Sequence, residues 1–200
     1  MDRKPGRPRA LTVDQIAQAA LDDGVDTFSM PSVARRLGVA HSGLYRYVND
    51  RETLLITAVD RAVNTIEWPD ADQPWDQLLR AIGEKVWELC DNFPGLDRAS
   101  LAASRAAPTA IALIETYVAQ LHEEGFAPED AALAVSFVIN QTMMSSADMA
   151  RIRRNGHSTV AGSDSDVLKA YDSDEARSDR GWYPRKLDII LTGLAGMRMA

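Results

Sequence analysis

Residues 28–55 read FSMPSVARRLGVAHSGLYRYVNDRETLL, and their reading decides the fold. Ser29 is a good helix N-cap, and Pro31 follows in the first turn, where a missing N–H costs little. Val33, Ala34 and Leu37 fall at i, i+1 and i+4, one apolar face of a helix. Gly38 should end that helix, because a residue without Cβ tolerates the left-handed conformation. A second short helix is expected from His41 to Val48, with Leu44 and Val48 turned inward. Two helices joined by a tight Gly turn are the helix-turn-helix plan, in which the second helix enters the major groove of DNA. Its outer face carries His41, Ser42, Tyr45, Arg46 and Tyr47, all donors, acceptors or stacking groups, with Gly43 among them.

Working outward, the N-terminal side supports that reading. Residues 1–11, MDRKPGRPRAL, hold two prolines and a glycine and cannot sustain a helix, so they form an extended basic arm. Arg7 and Arg9 flank Pro8 in the manner of arms that lie in A·T-rich minor groove, where negative potential concentrates. A first helix opens at Thr12 with a capping box to Gln15, buries Ile16, Ala17, Ala20 and Leu21, and stops at Gly24. Phe28 should plug the core of a three-helix unit spanning 12–67, closed by a helix from Arg51 to Ile66. Trp68 to Pro74, with two prolines and two acids, then breaks the pattern and marks a boundary.

From residue 75 to 200 the chain reads as further helices: Trp75–Asn92, Leu96 to Arg105, Pro108 to Glu124, Pro128 to Arg154 and Trp182 to Met199. The stretch 131–150 is apolar nearly all round, which calls for burial by more than one neighbour. Residues 155–181 are rich in Ser, Asp and Gly and read as a long loop with a short helical turn near Val167–Tyr171. The fold class is therefore all-α: a three-helix helix-turn-helix unit followed by a larger helical one.

The matches at fixed spacing carry a family resemblance. Ala34, Leu37-Gly38-Val39, Leu44-Tyr45-Arg46-Tyr47-Val48, Asp50-Arg51-Glu52 and Leu54-Leu55 resemble the DNA-binding domain of the TetR family of bacterial transcriptional repressors. Ala40 departs from it, standing where the family usually has a polar residue to cap the recognition helix. Either Ser42 caps one turn later or that helix end is looser, by ~1 kcal/mol. The second module resembles tetracycline-repressor-type members through Pro108, the run 125–131 (GFAPEDA) and the run 187–194 (LDIILTGL). The resemblance implies a homodimer in which the long helix and the last helix pair with their copies. It also implies a double-stranded DNA operator and a small-molecule effector. The arm and the run 44–47 also resemble the DNA-binding end of invertase-type recombinases, whose catalytic serine domain is not expected here.

Composition narrows the rest. Apolar residues make up 46% and charged residues 26%, ordinary for a globular protein. Residues 1–65 carry nine Lys/Arg against eight Asp/Glu, and the remainder carries 13 against 21, so the net charge of −7 sits on the second module. No apolar segment follows the first residues, and the stretches 131–139 and 187–199 are too short or too broken to span a bilayer, so a cytoplasmic protein without a membrane partner is expected. The single Cys90 reads as a small buried apolar residue. His41, His122 and His157 lie on separate elements, with no metal-ligand spacing, phosphate loop or nucleophile elbow, so neither an enzyme nor a metal or cofactor is expected.

These expectations give candidate sites. For DNA they are Arg7, Arg9, Ser29, His41, Ser42, Gly43, Tyr45, Arg46, Tyr47 and Arg51, with Arg46 reaching a guanine edge and Tyr45, Tyr47 and Arg51 holding phosphates. For a ligand pocket they are Trp87, Tyr117, Phe137, Asn140, Gln141 and Met144, joining aromatics, thioethers and amides. A repressor released from a palindromic operator by a small hydrophobic molecule is the reading. A DNA-binding scaffold whose second module binds a protein is the alternative.

Overall fold

The computed structural model describes residues 11–156, 165–166 and 168–198. The arm carrying Arg7 and Arg9, and residues 157–164 of the Ser/Asp-rich loop, lie outside them. The described residues form α1 (Val13–Asp23), α2 (Met30–Leu37), α3 (His41–Leu44), α4 (Arg51–Val63), α5 (Trp75–Asn92), α6 (Leu96–Ala102), α7 (Pro108–Glu123), α8 (Pro128–Asn155), α9 (Asp174–Arg177) and α10 (Tyr183–Ala195), with no strand among them. The all-helical expectation holds.

Capping residues set most boundaries. Thr12 and Gln15 close a reciprocal box at the start of α1, and Ser29 does the same with Ser32 at α2. Asp50 accepts the Thr53 N–H at 2.6 Å to open α4. The Asp50 carboxyl is accordingly held below its ordinary value of 3.8, first by that backbone hydrogen bond. Gly38 adopts φ 66° and ψ 29°, the left-handed turn that lets Val39 N–H bond back to Ala34 O at 3.0 Å.

Four helices are shorter than their apolar spacing suggests, α10 among them, which stops at Ala195. α3 stops at Leu44, and neither Ala40 nor Ser42 gives its start a side-chain cap. Its far end is drawn out where Asp50 turns extended to cap α4. α4 stops at Val63, where the Trp68 indole N–H donates to Val63 O at 2.9 Å and the Asn64 amide to Asp60 O at 2.7 Å. α6 stops at Ala102, since Ala103 is extended and Glu52 accepts both the N–H and the hydroxyl of Ser104, each at 2.9 Å.

The head is built by α1 packing on α2 and α4, with α3 against α2. Ile16, Val33, Leu44 and Leu54 are fully buried there, and Phe28 nearly so. Each such side chain contributes about 1.5–3 kcal/mol of burial. That cluster continues past residue 67 to take in Leu89, Leu96, Ala99 and Ala107, so α5 and α6 pack directly on the head.

In the body, α8 packs against α5, α6, α7 and α10. Its inward stripe is Ala131, Ala134, Val135, Val138, Thr142, Ser145, Ser146 and Met149, mostly small residues that let neighbouring helices approach. The Thr142 hydroxyl pairs with that of Tyr183 at 2.9 Å, giving two buried polar groups a partner. The outward face of α8 departs from the expectation of burial all round. Leu133, Phe137 and Met144 are 52%, 49% and 56% exposed, and Ile189 of α10 is 73% exposed.

Candidate nucleic-acid interface and apolar chamber

The helix-turn-helix unit presents its polar side chains at α3 and the turn after it. Leu44 and Val48 point into the head, which leaves His41, Ser42, Tyr45, Arg46 and Tyr47 exposed. The His41 and Tyr45 rings meet edge-on, with centroids 5.2 Å apart. Arg46 has no ion pair among the described residues, in contrast to Arg36, which bonds to Asp22 O at 3.0 Å and pairs with Asp23. The Tyr45 hydroxyl and His41 Nε2 share a 3.4 Å hydrogen bond, and such a row of exposed polar side chains around a short helix is suited to the edges and phosphates of a duplex.

Two of the DNA candidates have structural duties in the free protein. The Ser29 hydroxyl is occupied as the α2 cap. Arg51, a candidate phosphate-holding residue, is also engaged within the head. Its Nε donates to Phe28 O at 3.0 Å, its Nη2 to Asp26 O at 3.3 Å, and its guanidinium lies 4.6 Å over the Phe28 ring. It clamps the α1–α2 connection onto α4, because the loop carbonyls there have no helical partner.

Below the head lies a chamber of about 250 Å³ enclosed by α4, α5, α6, α7 and α8. Its wall is almost wholly apolar, with Val59, Val86, Leu113, Ile114 and Met143 contributed by successive helices. Tyr117 and Asn140 line it, as expected from the sequence. Trp87, Phe137, Gln141 and Met144 do not, and the reasons differ. Trp87 is buried in the body core against Tyr183, with ring centroids 4.9 Å apart. Gln141 donates to Ser145 Oγ at 3.0 Å within its own helix. Phe137 and Met144 stand on the bare face of α8, roughly two turns apart on one stripe. His122 shares a 2.8 Å hydrogen bond with Phe126 O at the end of α7.

Little in the residue pattern points to the wall formed by 96–107. This Ala-rich segment supplies Ser100, Leu101, Ala103, Arg105, Ala106 and Ala107. α6 ends at the extended Ala103, Ser104 N–H donates to Glu52, and the exposed Arg105 follows on the chamber's lining. The other side of the same segment is tied to the head. Arg98 bonds Asp26 through Nε at 3.0 Å, Ser104 bonds Glu52, and Thr109 N–H donates to Asp60 Oδ1 at 2.7 Å. The Glu52 carboxyl is held below its ordinary 4.5, chiefly by the Ser104 backbone N–H. One segment is therefore both chamber wall and head support.

No family model matches the chain. The HTH-type transcriptional repressor DrrR1 of Streptomyces coeruleorubidus is 27% identical over 144 residues, 68% of this chain and 53% of that protein. An HTH-type transcriptional regulator of Saccharopolyspora erythraea is 33% identical over 138 residues, 65% of this chain and 57% of that protein. The chain thus spans little more than half the length of these curated relatives. Among solved structures, the TetR family protein ActR of Streptomyces coelicolor in complex with actinorhodin superposes with a TM-score of 0.73 at 22% identity, covering 95% of this chain and 98% of that one. TetR of Acinetobacter baumannii AYE gives 0.75 at 18% identity, covering 96% and 100%.

Proposed function

Since the chain has the fold of TetR-family transcriptional regulators, we propose that it is a ligand-responsive DNA-binding regulator, a homodimer that represses transcription until a small apolar molecule enters the chamber. The observation that carries this reading is the double role of 96–109. One side walls the chamber, and the other is hydrogen-bonded to the unit that presents α3.

The α3 face supplies the DNA contacts, with Arg46 reading a base edge and His41, Ser42, Tyr45 and Tyr47 touching bases or phosphates. The arm with Arg7 and Arg9 adds minor-groove contact. The bare faces of α8 and α10 meet their copies across a two-fold axis, which accounts for large apolar side chains standing in water. A two-fold dimer reads half-sites ~34–36 Å apart or at multiples of it. A ligand that moves 96–109 changes that spacing and lowers operator affinity by a coupling of typically ~1–3 kcal/mol.

Selection of bound duplexes from a random pool tests the reading. The expected product is a palindrome whose half-sites keep one fixed spacing. Recovery of no enriched sequence, or of an asymmetric one without a repeat, would overturn it.

A further inference from the structure

We propose that the chamber selects apolar molecules bearing a single anionic group, with the Arg105 guanidinium meeting the anion at the mouth and the Ser100 hydroxyl meeting a second polar atom within. This rests on reading the chamber as the effector site.

Most polar groups on the wall already have a hydrogen-bond partner. The Trp68 indole N–H is committed to Val63 O at 2.9 Å, and the Tyr117 hydroxyl donates to Pro69 O at 3.0 Å. The Asn140 amide donates to Ser136 within α8. Ser100 Oγ is buried and has no hydrogen-bond partner among the described residues. Buried hydroxyls are normally satisfied, so one left open on the wall of a ligand-sized chamber indicates a missing acceptor or donor. Arg105 is the one charged side chain among the described lining residues, and it has neither an ion pair nor a hydrogen bond among them. Both groups come from the same short segment, five positions apart, so one ligand can engage them together.

Charge balance sets the class. No carboxylate is among the described residues that line the chamber. The nearby Glu52 is engaged by the N–H and hydroxyl of Ser104 and does not stand on the wall. A carboxylate, sulfonate or ionised phenol would therefore meet an uncontested guanidinium. A cationic molecule would meet only that guanidinium's repulsion. A polyanion such as a nucleotide would leave its remaining charge against apolar wall.

The probes are anilinonaphthalene sulfonate and its sulfonate-free parent, phenylnaphthylamine, titrated by fluorescence against the intact protein. Arg105→Gln should weaken the sulfonate probe by at least about tenfold while leaving the parent within about twofold, as loss of a charge-assisted contact requires. Ser100→Ala serves as the companion variant, and it should weaken the sulfonate probe to a smaller degree. Equal effects of Arg105→Gln on both probes, or none on either, would overturn the assignment. Ala110→Trp fills the chamber and separates the two levels of the argument. If it excludes both probes while Arg105→Gln spares the sulfonate, the chamber stands and the anion preference falls. If both probes bind Ala110→Trp as they bind the wild type, the chamber is not the site and both readings fall.

Discussion

Asp26 and Arg98 stand 72 residues apart in the sequence, yet Arg98 Nε donates to Asp26 Oδ2 at 3.0 Å, joining the α1–α2 connection to the first turns of α6. The close approach depends on Gly95. It caps α6 at φ 93°, a left-handed conformation, and a Cβ there would collide with the Asp26 carboxylate. Asp26 also reaches Arg51, which takes its backbone carbonyl, so one loop is gripped by both the head and the chamber wall.

Removing that pair should affect communication more than stability. Arg98 and Asp26 are 41% and 21% exposed, which limits the pair to about 0–1 kcal/mol. Arg98→Ala is therefore expected to lower the urea midpoint only slightly. Its operator affinity, measured with and without a chamber ligand, should change much less on ligand addition than that of the wild type. An unchanged ratio would place the coupling elsewhere, in the Glu52–Ser104 and Asp60–Thr109 contacts.

The α3 face can be tested with a residue that has no side chain. A Cβ built on Gly43 meets nothing within 4 Å, so Gly43→Ala should stabilise the free protein by up to ~1 kcal/mol through helix propensity. In the complex the added methyl would crowd the duplex if α3 lies in the groove. Raised thermal stability together with weakened operator binding is the expected combination. Arg46→Ala should abolish specific binding and leave the oligomeric state unchanged. Wild-type footprints from Arg46→Ala would remove α3 from the interface.

The start of α3 offers an independent check. Ala40 is the one N-cap in the head without a side-chain hydrogen bond, whereas Thr12, Ser29 and Asp50 all make one. The Gly43 N–H already donates to Ala40 O at 2.8 Å, so Ala40→Ser should serve the Ser42 N–H as well and stabilise the protein by about 0.5–1 kcal/mol in urea unfolding. No gain would mean that the extended Ala40 backbone holds the helix start without help.

What the sequence made legible was governed by local rules. Thr12 with Gln15, Ser29, Gly38 and the full extent of α5 were readable because capping and 3.6-residue periodicity act over neighbouring residues. The chamber was only half readable. Tyr117 and Asn140 were found by residue type, but type does not say which face a helix turns inward. Phe137 and Gln141, four positions apart on α8, both missed for that reason. Arg51 and Arg105 illustrate the same limit, since a basic side chain's partner is fixed by loops distant in sequence.

The bare stripe of α8 gives a prediction about assembly. Leu133, Phe137 and Met144 recur at spacings of four and seven, one continuous face. If that face meets its copy, Phe137→Glu places two like charges near the two-fold axis and should yield monomer by light scattering, with helicity retained. A dimer persisting at micromolar concentration would direct attention to another surface.

The buried thiol provides a prediction in the alkaline range. Cys90 of α5 is 5% exposed and faces Ser146 of α8, and burial pushes its pKa from 9.0 up to about 12, with the Asp97 carboxylate adding and a Ser146 hydrogen bond opposing. Burial also raises the Tyr117 hydroxyl from 10.0 to about 12. In both cases the neutral form is held in the folded chain, while the unfolded chain gives up its proton first. Their stabilising contribution is therefore complete below pH 9 and is lost as pH rises from there toward 12. The urea midpoint should stay level through neutral pH and fall steadily above 9.0, and Cys90→Ala should flatten the onset of that fall. A thiol reagent should label Cys90 only when urea unfolds the body. Rapid labelling of the native protein at neutral pH would show that the contact between α5 and α8 opens, and the alkaline prediction would then fail with it.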